Sequence, residues 1–482
     1  MRVREFLQGQ NRKETQKDDK PLLRKSTFRF PRWAWSQEKK NTPSLWRARR
    51  GWGWWMSREF FKWSFQFPWN TPQPSGRDGG APPVVKEKPR DLFDKCRRFT
   101  RAAEVRKSGF YPYFSPIQSS QEPNIELNGR SMLMLGSNSY LGLTTHPKVK
   151  EAAQRAIQSY GSSCSGSRFL NGTLEIHVEL EERLARFVGK AQSIVFTTGF
   201  QANLGAISTL VGKDDRVITD KVDHASIIDG ARLSSGRMLR FNHNRMSDLE
   251  RILRSCNNSG GKLIVVDGVF SMDGDVADLP GIMEVAKRHG AHVMVDDAHG
   301  LGVMGPQGRG TTAHFGLTED TALIMGTFSK SFASIGGFVA GESQIIDFIR
   351  HHARSLIFSA SLPPAQVAST LAALEILEEE PERLEQLWDN TRYLRAGLQS
   401  LGFDTGRSET PIIPVIIGDD TLCFQTWLAL QEEGIFVNPI ISPAVLSHQA
   451  LIRVSVMASH ERHHLDRALQ VFSAVGKKLG LI

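Results

Sequence analysis

From about residue 91 the chain alternates between two hydrophobic periods. Through residues 147–160 and 174–188 the apolar positions return every three to four residues, the spacing of a helix with one buried face. Short continuous apolar runs follow at 193–196, 216–218, 263–266, 292–295 and 322–325. A run that is apolar throughout leaves no side for water. Each therefore predicts a strand covered on both faces, as in a mostly parallel sheet built from βαβ units. Residues 279–289, between two of these runs, predict a helix closed by Gly290. From about 345 the pattern turns to long helices, 364–379 and 381–400, each opening on a proline, which suits the first helical position. Shorter mixed elements come after them. The expected fold is α/β: an N-terminal segment of the catalytic fold at 91–145, a large sheet domain at 146–345 and a smaller C-terminal α+β domain at 346–482.

No sustained period runs through residues 1–90, which end in the Pro- and Gly-rich stretch 71–83 and read as a poorly ordered extension. This segment changes how the composition is read. The 482-residue chain has a formal charge of +9, yet residues 1–90 hold 21 Lys and Arg against 8 Asp and Glu, a net +13, which leaves −4 for the rest. Eight of the ten Trp also precede residue 70, as in Arg32-Trp33-Ala34-Trp35 and Gly51-Trp52-Gly53-Trp54-Trp55. The basic balance belongs to a tail and says nothing about the substrate of the remainder. Two readings compete for it: a merely solvated tail, or one begun at a start codon placed too far upstream, and a contact with an anionic membrane surface through indole rings and basic side chains. No groove-reading motif accompanies it, so nucleic acid is not an expected partner. Cys96, Cys164, Cys256 and Cys423 are far apart and form no CxxC pair, which argues against a disulfide framework or a structural zinc. With no apolar run of membrane-spanning length and no apolar h-region behind the basic start, the expected location is cytoplasmic, with peripheral contact on the inner membrane face as the alternative.

Three motifs carry chemistry. Thr197-Thr198-Gly199-Phe200-Gln201-Ala202-Asn203 follows a strand and opens a helix, where unpaired backbone N–H groups suit a phosphate. Asp296-Asp297-Ala298-His299-Gly300 stands at the carboxyl end of a buried strand, where open α/β sheets place ligands. An acidic pair there is costly unless used. A metal is not expected, because no further ligand stands at coordinating spacing; an Asp accepting a pyridinium proton, with His299 bonding a ring oxygen, is the other reading. Gly326-Thr327-Phe328-Ser329-Lys330-Ser331 follows the next strand, with Gly336-Gly337 beyond it. A desolvated lysine there is a candidate Schiff-base residue, and Thr327 a phosphate ligand.

The order and spacing of these motifs resemble fold-type I pyridoxal-phosphate (PLP) transferases, and within them the α-oxoamine synthases. The resemblance runs from about Asp91 to the C-terminus and includes Gly136-Ser137-Asn138-Ser139-Tyr140-Leu141-Gly142, Asp223-His224-Ala225-Ser226 and Val269-Phe270-Ser271-Met272-Asp273-Gly274-Asp275. Further phrases are similar to the bacterial, homodimeric branch that condenses L-serine with a long-chain acyl thioester, on coenzyme A or a carrier protein, in the first step of sphingolipid synthesis. They are Tyr111-Pro112-Tyr113-Phe114, Gly166-Ser167-Arg168-Phe169-Leu170-Asn171-Gly172-Thr173, Thr410-Pro411-Ile412-Ile413-Pro414, Asn438-Pro439-Ile440-Ile441-Ser442-Pro443-Ala444-Val445 and Leu451-Ile452-Arg453.

The resemblance implies roles at matching positions. Lys330 carries the cofactor, His224 stacks on its ring, Asp296 pairs with the ring nitrogen, and His299 and Ser271 address the ring oxygen. Thr198, Gly199, Phe200 and Thr327 hold the phosphate, helped by Ser359 or Ser361 of a neighbouring subunit. Arg453 takes the amino-acid carboxylate, with Asn138 beside the substrate. One departure stands out: where many relatives carry an Arg-Pro-Pro stretch, this chain reads Ile441-Ser442-Pro443. The alternatives are a related enzyme using alanine or glycine (8-amino-7-oxononanoate synthase or 2-amino-3-oxobutyrate ligase), a PLP aldolase, and a non-catalytic partner subunit. The joint presence of Lys330, His224 and Asp296 argues against the last.

Overall fold

The computed structural model describes residues 91–256, 260–442 and 444–482. The readings made for residues 1–90 lie outside the described residues. Thirteen strands occur in the described chain: β1 (Asn124–Leu127), β2 (Arg130–Met134), β3 (Gln192–Phe196), β4 (Arg216–Asp220), β5 (Arg237–Phe241), β6 (Lys262–Asp267), β7 (His292–Asp296), β8 (Leu323–Thr327), β9 (Gly337–Gly341), β10 (Ile412–Gly418), β11 (Ile435–Phe436), β12 (Asn438–Ile440) and β13 (Ala450–Ser455). Seven form the main sheet, in the order β3-β9-β8-β7-β6-β4-β5. Only β9 runs against its neighbours, and the other six point the same way.

Burial on both faces follows from strict alternation along each strand. Ile194, Phe196, Val217, Val265, Met294, Leu323, Met325 and Val339 enter one apolar cluster with residues of helices Gly199–Leu210, Ala225–Leu233 and Ser343–His352. Their sequence neighbours point the other way. Ile218, Ile264, Val266, Val293 and Val295 meet helices Met246–Ser255 and Leu279–Arg288. Val195, Ile324, Phe338 and Ala340 join a third cluster with helices Glu175–Phe187 and Pro364–Glu379. The continuous apolar runs are thus strands with two dry faces, as the pattern predicts.

Two smaller sheets complete the fold. One orders β1-β2-β11, with β11 parallel to β2, so that residues near 133 pair with residues near 435. The other orders β10-β13-β12, all antiparallel, with β13 in the middle. The helices at Pro147–Tyr160 and Pro364–Glu379 have the expected bounds, whereas Pro381 is the residue before its helix, which begins at Glu382. Strands β5 and β9 were not expected. β5 is a half-polar edge strand, Arg-Met-Leu-Arg-Phe, and β9 is Gly-Phe-Val-Ala-Gly, too short and glycine-rich to stand out as an apolar run. Among the described residues the four cysteines are free, and no helix is long and apolar enough to cross a membrane.

Candidate active site

The carboxyl ends of β3, β4, β6, β7 and β8 lie along one edge of the main sheet, and every chemical motif follows one of them. Lys330 is carried by the turn after β8. Phe328 and Phe332, both fully buried, anchor that turn on either side. Backbone bonds from Phe328 N to Gly336 O (2.9 Å), Ser334 N to Phe328 O (2.9 Å) and Ala333 N to Lys330 O (3.2 Å) close it. Burial pulls the Lys330 amine down from 10.5 to about 8, against the opposing pull of the Asp296 and Asp267 carboxylates.

Asp296 is the last residue of β7. Its Oδ2 accepts from Asn203 Nδ2 at 2.6 Å and its Oδ1 from Ala298 N at 3.1 Å. Asn203 Nδ2 also donates to Ser226 Oγ at 2.8 Å, and that hydroxyl lies 2.8 Å from His224 Nδ1. A hydrogen-bonded chain therefore runs from Asp296 through Asn203 and Ser226 to the imidazole of His224. Burial lowers the pKa of His224. Asp267, at the end of β6, receives His224 N at 3.0 Å and fixes the turn from below. The second acid, Asp297, turns inward, where it accepts from Thr311 N (2.7 Å) and Thr311 Oγ1 (2.9 Å); burial raises it to about 7. The acidic pair is thereby divided: Asp296 serves the site and Asp297 braces the strand end behind it.

At the other end of the site Thr198 caps helix Gly199–Leu210, its Oγ1 accepting from Gln201 N at 3.1 Å. The N–H groups of Gly199 and Phe200 have no carbonyl to bond within the helix, and the helix dipole adds positive charge there. The space is closely cut. A Cβ on Gly199 would lie 2.8 Å from Thr327 Oγ1, and one on Gly337 would lie 2.6 Å from Gly199 Cα. Thr327 Oγ1 donates to Gly336 O at 3.0 Å and faces the same notch. Phe200 is partly exposed, its ring set edge-on to His224 at 6.4 Å. Ser359 Oγ accepts from Gln201 Nε2 at 3.2 Å, so it stands at the phosphate end of its own chain's site. Ser361 is instead covered by the turn at Gly166 and Gly172, where a Gly172 Cβ would lie 2.3 Å from its hydroxyl. Of the two serines, Ser359 is the one at the site.

Arg453, in the middle strand of the small sheet, is buried, and its three hydrogen bonds to Ser271, Ser455 and Asn138 go to neutral groups. Nε donates to Ser271 O (2.6 Å), one terminal nitrogen to Ser455 Oγ (2.7 Å) and the other to Asn138 Oδ1 (3.0 Å). A buried guanidinium without a paired carboxylate is expensive unless an anionic ligand supplies one. Ser271 takes part through its carbonyl, and Asn138 by aiming Arg453. Ile441, at the departure noted in the sequence, packs in an apolar cluster with Val437 and Ile452, so no cation stands at that position.

Two residues without an assigned role in the sequence reading belong to the site. Asn203 joins Asp296 to Ser226. Tyr140 OH lies 2.7 Å from His299 Nδ1 and occupies that ring nitrogen. Burial lowers the pKa of His299 well below the ordinary value, which keeps the ring neutral. Both residues lie inside recognised motifs, yet their partners are 93 and 159 residues away.

Residues 130–472 match the model of the aminotransferase class I and II family. The chain is 51% identical over 387 residues to the serine palmitoyltransferase of Sphingobacterium spiritivorum, a match covering 80% of this chain and 97% of the relative. It is 45% identical over 379 residues to the 8-amino-7-oxononanoate synthase of Symbiobacterium thermophilum, covering 78% of this chain and 97% of that one. Among solved structures, a serine palmitoyltransferase holding PLP as an internal aldimine superposes with a TM-score of 0.79 at 38% identity, covering 82% of this chain and all of that one.

Proposed function

The chain belongs to the aminotransferase class I and II family, and on that premise we propose that it is a PLP-dependent acyltransferase that condenses L-serine with a long-chain acyl thioester. The observation that carries this reading is the buried Arg453, neutral-partnered and fixed by Asn138 and Ser271, in the same site as Lys330 and the Asp296–Asn203–His224 chain. It explains why an amino acid, and not a simple amine, is the substrate.

The residues fit PLP. The notch between Gly199, Gly337 and Thr327, with helix N–H groups beside it, has room and charge for a phosphate. Asn203 Oδ1, on the residue that bonds Asp296, is a buried polar atom without a protein partner, and a polar cofactor beside Asp296 would relieve that cost. When bound, PLP supplies an electron sink for the pair released as a Cα bond breaks.

The protein's own groups do the rest. With its pKa pulled from 10.5 to about 8, Lys330 yields its free amine near neutrality far more readily than an exposed lysine, able to bond the cofactor carbonyl and later to take the Cα proton of the amino acid. Asp296, braced by Asn203, would hold the proton on the ring nitrogen. His299 is kept neutral and, with Nδ1 occupied by Tyr140, presents Nε2 to the cofactor. Arg453 grips the substrate carboxylate and so sets which Cα bond stands across the ring. The new carbon–carbon bond joins Cα to the acyl carbon as the thioester C–S bond breaks. The Cα–carboxylate bond then breaks, and the products are a 3-oxo amino alcohol, CO2 and the free thiol.

The finer reading includes a homodimer, with Ser359 serving the phosphate of its own chain where the resemblance had placed it in a neighbour's, cytoplasmic residence, and membrane contact through residues 1–90. The test is a screen of the purified protein with L-serine, L-alanine and glycine for shifts in cofactor absorbance, followed by acyl-CoA addition with CO2 and thiol measured. A serine response with long-chain acyl-CoA turnover is expected. Preference for alanine with a pimeloyl thioester, as the 45% relative would suggest, reassigns the substrate pair.

A further inference from the structure

His243 follows edge strand β5 and takes no part in the reaction described above. Each of its ring nitrogens faces a carboxylate: Nδ1 lies 3.2 Å from Asp220 Oδ2 and Nε2 2.8 Å from Asp275 Oδ2. Carboxylate oxygens accept, so both nitrogens must donate, and the ring carries a proton on each. Burial works against that charge, and the two carboxylates overcome it, holding the pKa at about 10. Neighbouring groups repeat the same bridge. Asn244 N donates to Asp220 Oδ2 at 3.0 Å, Asn244 Nδ2 to Val276 O at 3.0 Å, and Asp278 N to Asn244 Oδ1 at 3.1 Å. The Phe270 ring packs edge-on against the imidazole at 4.4 Å.

The two ends of this bridge lead to different parts of the site. Asp220 ends β4, and its N donates to Asp223 Oδ2 at 2.7 Å in the turn that presents His224. Asp275 O accepts from Phe270 N at 3.0 Å, closing the turn that carries Ser271. Ser271 O in turn receives Arg453 Nε. We propose that His243 is a positioning residue for amino-acid selection: by bridging Asp220 and Asp275 it holds the 270–275 turn so that the Ser271 carbonyl aims Arg453 at the substrate carboxylate. The inference rests on the function proposed above and adds a determinant outside the catalytic residues.

Two variants of the holoenzyme test it, His243→Gln, whose single amide cannot donate to both carboxylates, and Asp275→Ala, which frees the turn but keeps the Asp220 contact. The probes are L-serine and ethanolamine, the same amine without a carboxylate, each titrated against cofactor absorbance. Both variants should weaken L-serine binding by about tenfold while ethanolamine binding stays within about twofold of wild type. Turnover should show the same split, with KM for L-serine rising more than kcat falls. L-serine binding within about twofold of wild type in both variants overturns the proposal, as does parallel loss for L-serine and ethanolamine. A wild-type protein that does not respond to L-serine rejects the proposed function itself, and this inference with it.

Discussion

Lys330 combines a reactive amine with a buried charge, and the two properties can be measured separately. Lys330→Ala should lower turnover by roughly 10³-fold or more, because both the covalent step and the Cα proton transfer lose their group. Borohydride should fix the cofactor to the wild-type chain and not to that variant. In the cofactor-free protein the folded pKa of about 8 lies below the ordinary 10.5, so between those values the native state holds fewer protons than the unfolded one. Burying the ammonium thus costs stability at low pH. Lys330→Met should raise the melting temperature of the cofactor-free protein, with the full gain below pH 8 and none above about 10.5. A gain independent of pH would point to packing instead of charge. Arg453→Lys, which keeps the charge but loses the planar fork held by Ser271 and Asn138, should raise KM for L-serine by about tenfold or more.

The phosphate end is a property of three elements meeting: helix Gly199–Leu210, the end of β8 and the start of β9. Gly199→Ala would place a methyl 2.8 Å from Thr327 Oγ1 and 2.9 Å from its Cβ. PLP affinity, read by reconstituting the cofactor-free protein, should fall by about tenfold or more, and the melting temperature of that cofactor-free protein should fall as well, since the methyl overpacks the Thr327 side chain. This meeting also marks the limit of what the pattern could reveal. The strands that bear Asp296 and Lys330 are uniformly apolar and announce themselves, and the phosphate helix follows one of them. Strand β9 does not, because Gly337 is there for close approach to Gly199 and Gly341 for close approach to Leu323 and the Ala322 carbonyl, and a residue chosen for lacking a side chain leaves no hydrophobic signature. Asn203, Tyr140 and His243 were invisible as site residues for another reason. Each is an ordinary polar residue until the fold brings it to a partner in a distant segment, and spacing along the chain does not encode that pairing.

At the scale of the whole molecule, the relatives are matched over nearly their full length by about four-fifths of this chain. A chain beginning at Lys86 should therefore keep its turnover with soluble substrates in detergent-free buffer. It should lose any salt-sensitive binding to anionic vesicles that the full chain shows, since about 1 kcal/mol per basic residue near the surface is at stake. Loss of turnover on truncation would place residues 1–90 in the active fold. Within the fold, the groups proposed to hold the cofactor come from residues 198–359, whereas Arg453 is joined to Ser271 and Asn138 across 182 and 315 residues of chain. It also sits on the central strand of its sheet, between β10 and β12. A ribosome releases those parts in order. The growing polypeptide therefore contains the whole carbonyl-reactive half before the strand that distinguishes an amino acid from any other amine has been made. The residue that would tell an amino acid from any other amine is thus among the last of the site to be synthesised, and the apolar core beside the site, which includes Ile452, Val454 and Phe472, closes only with it.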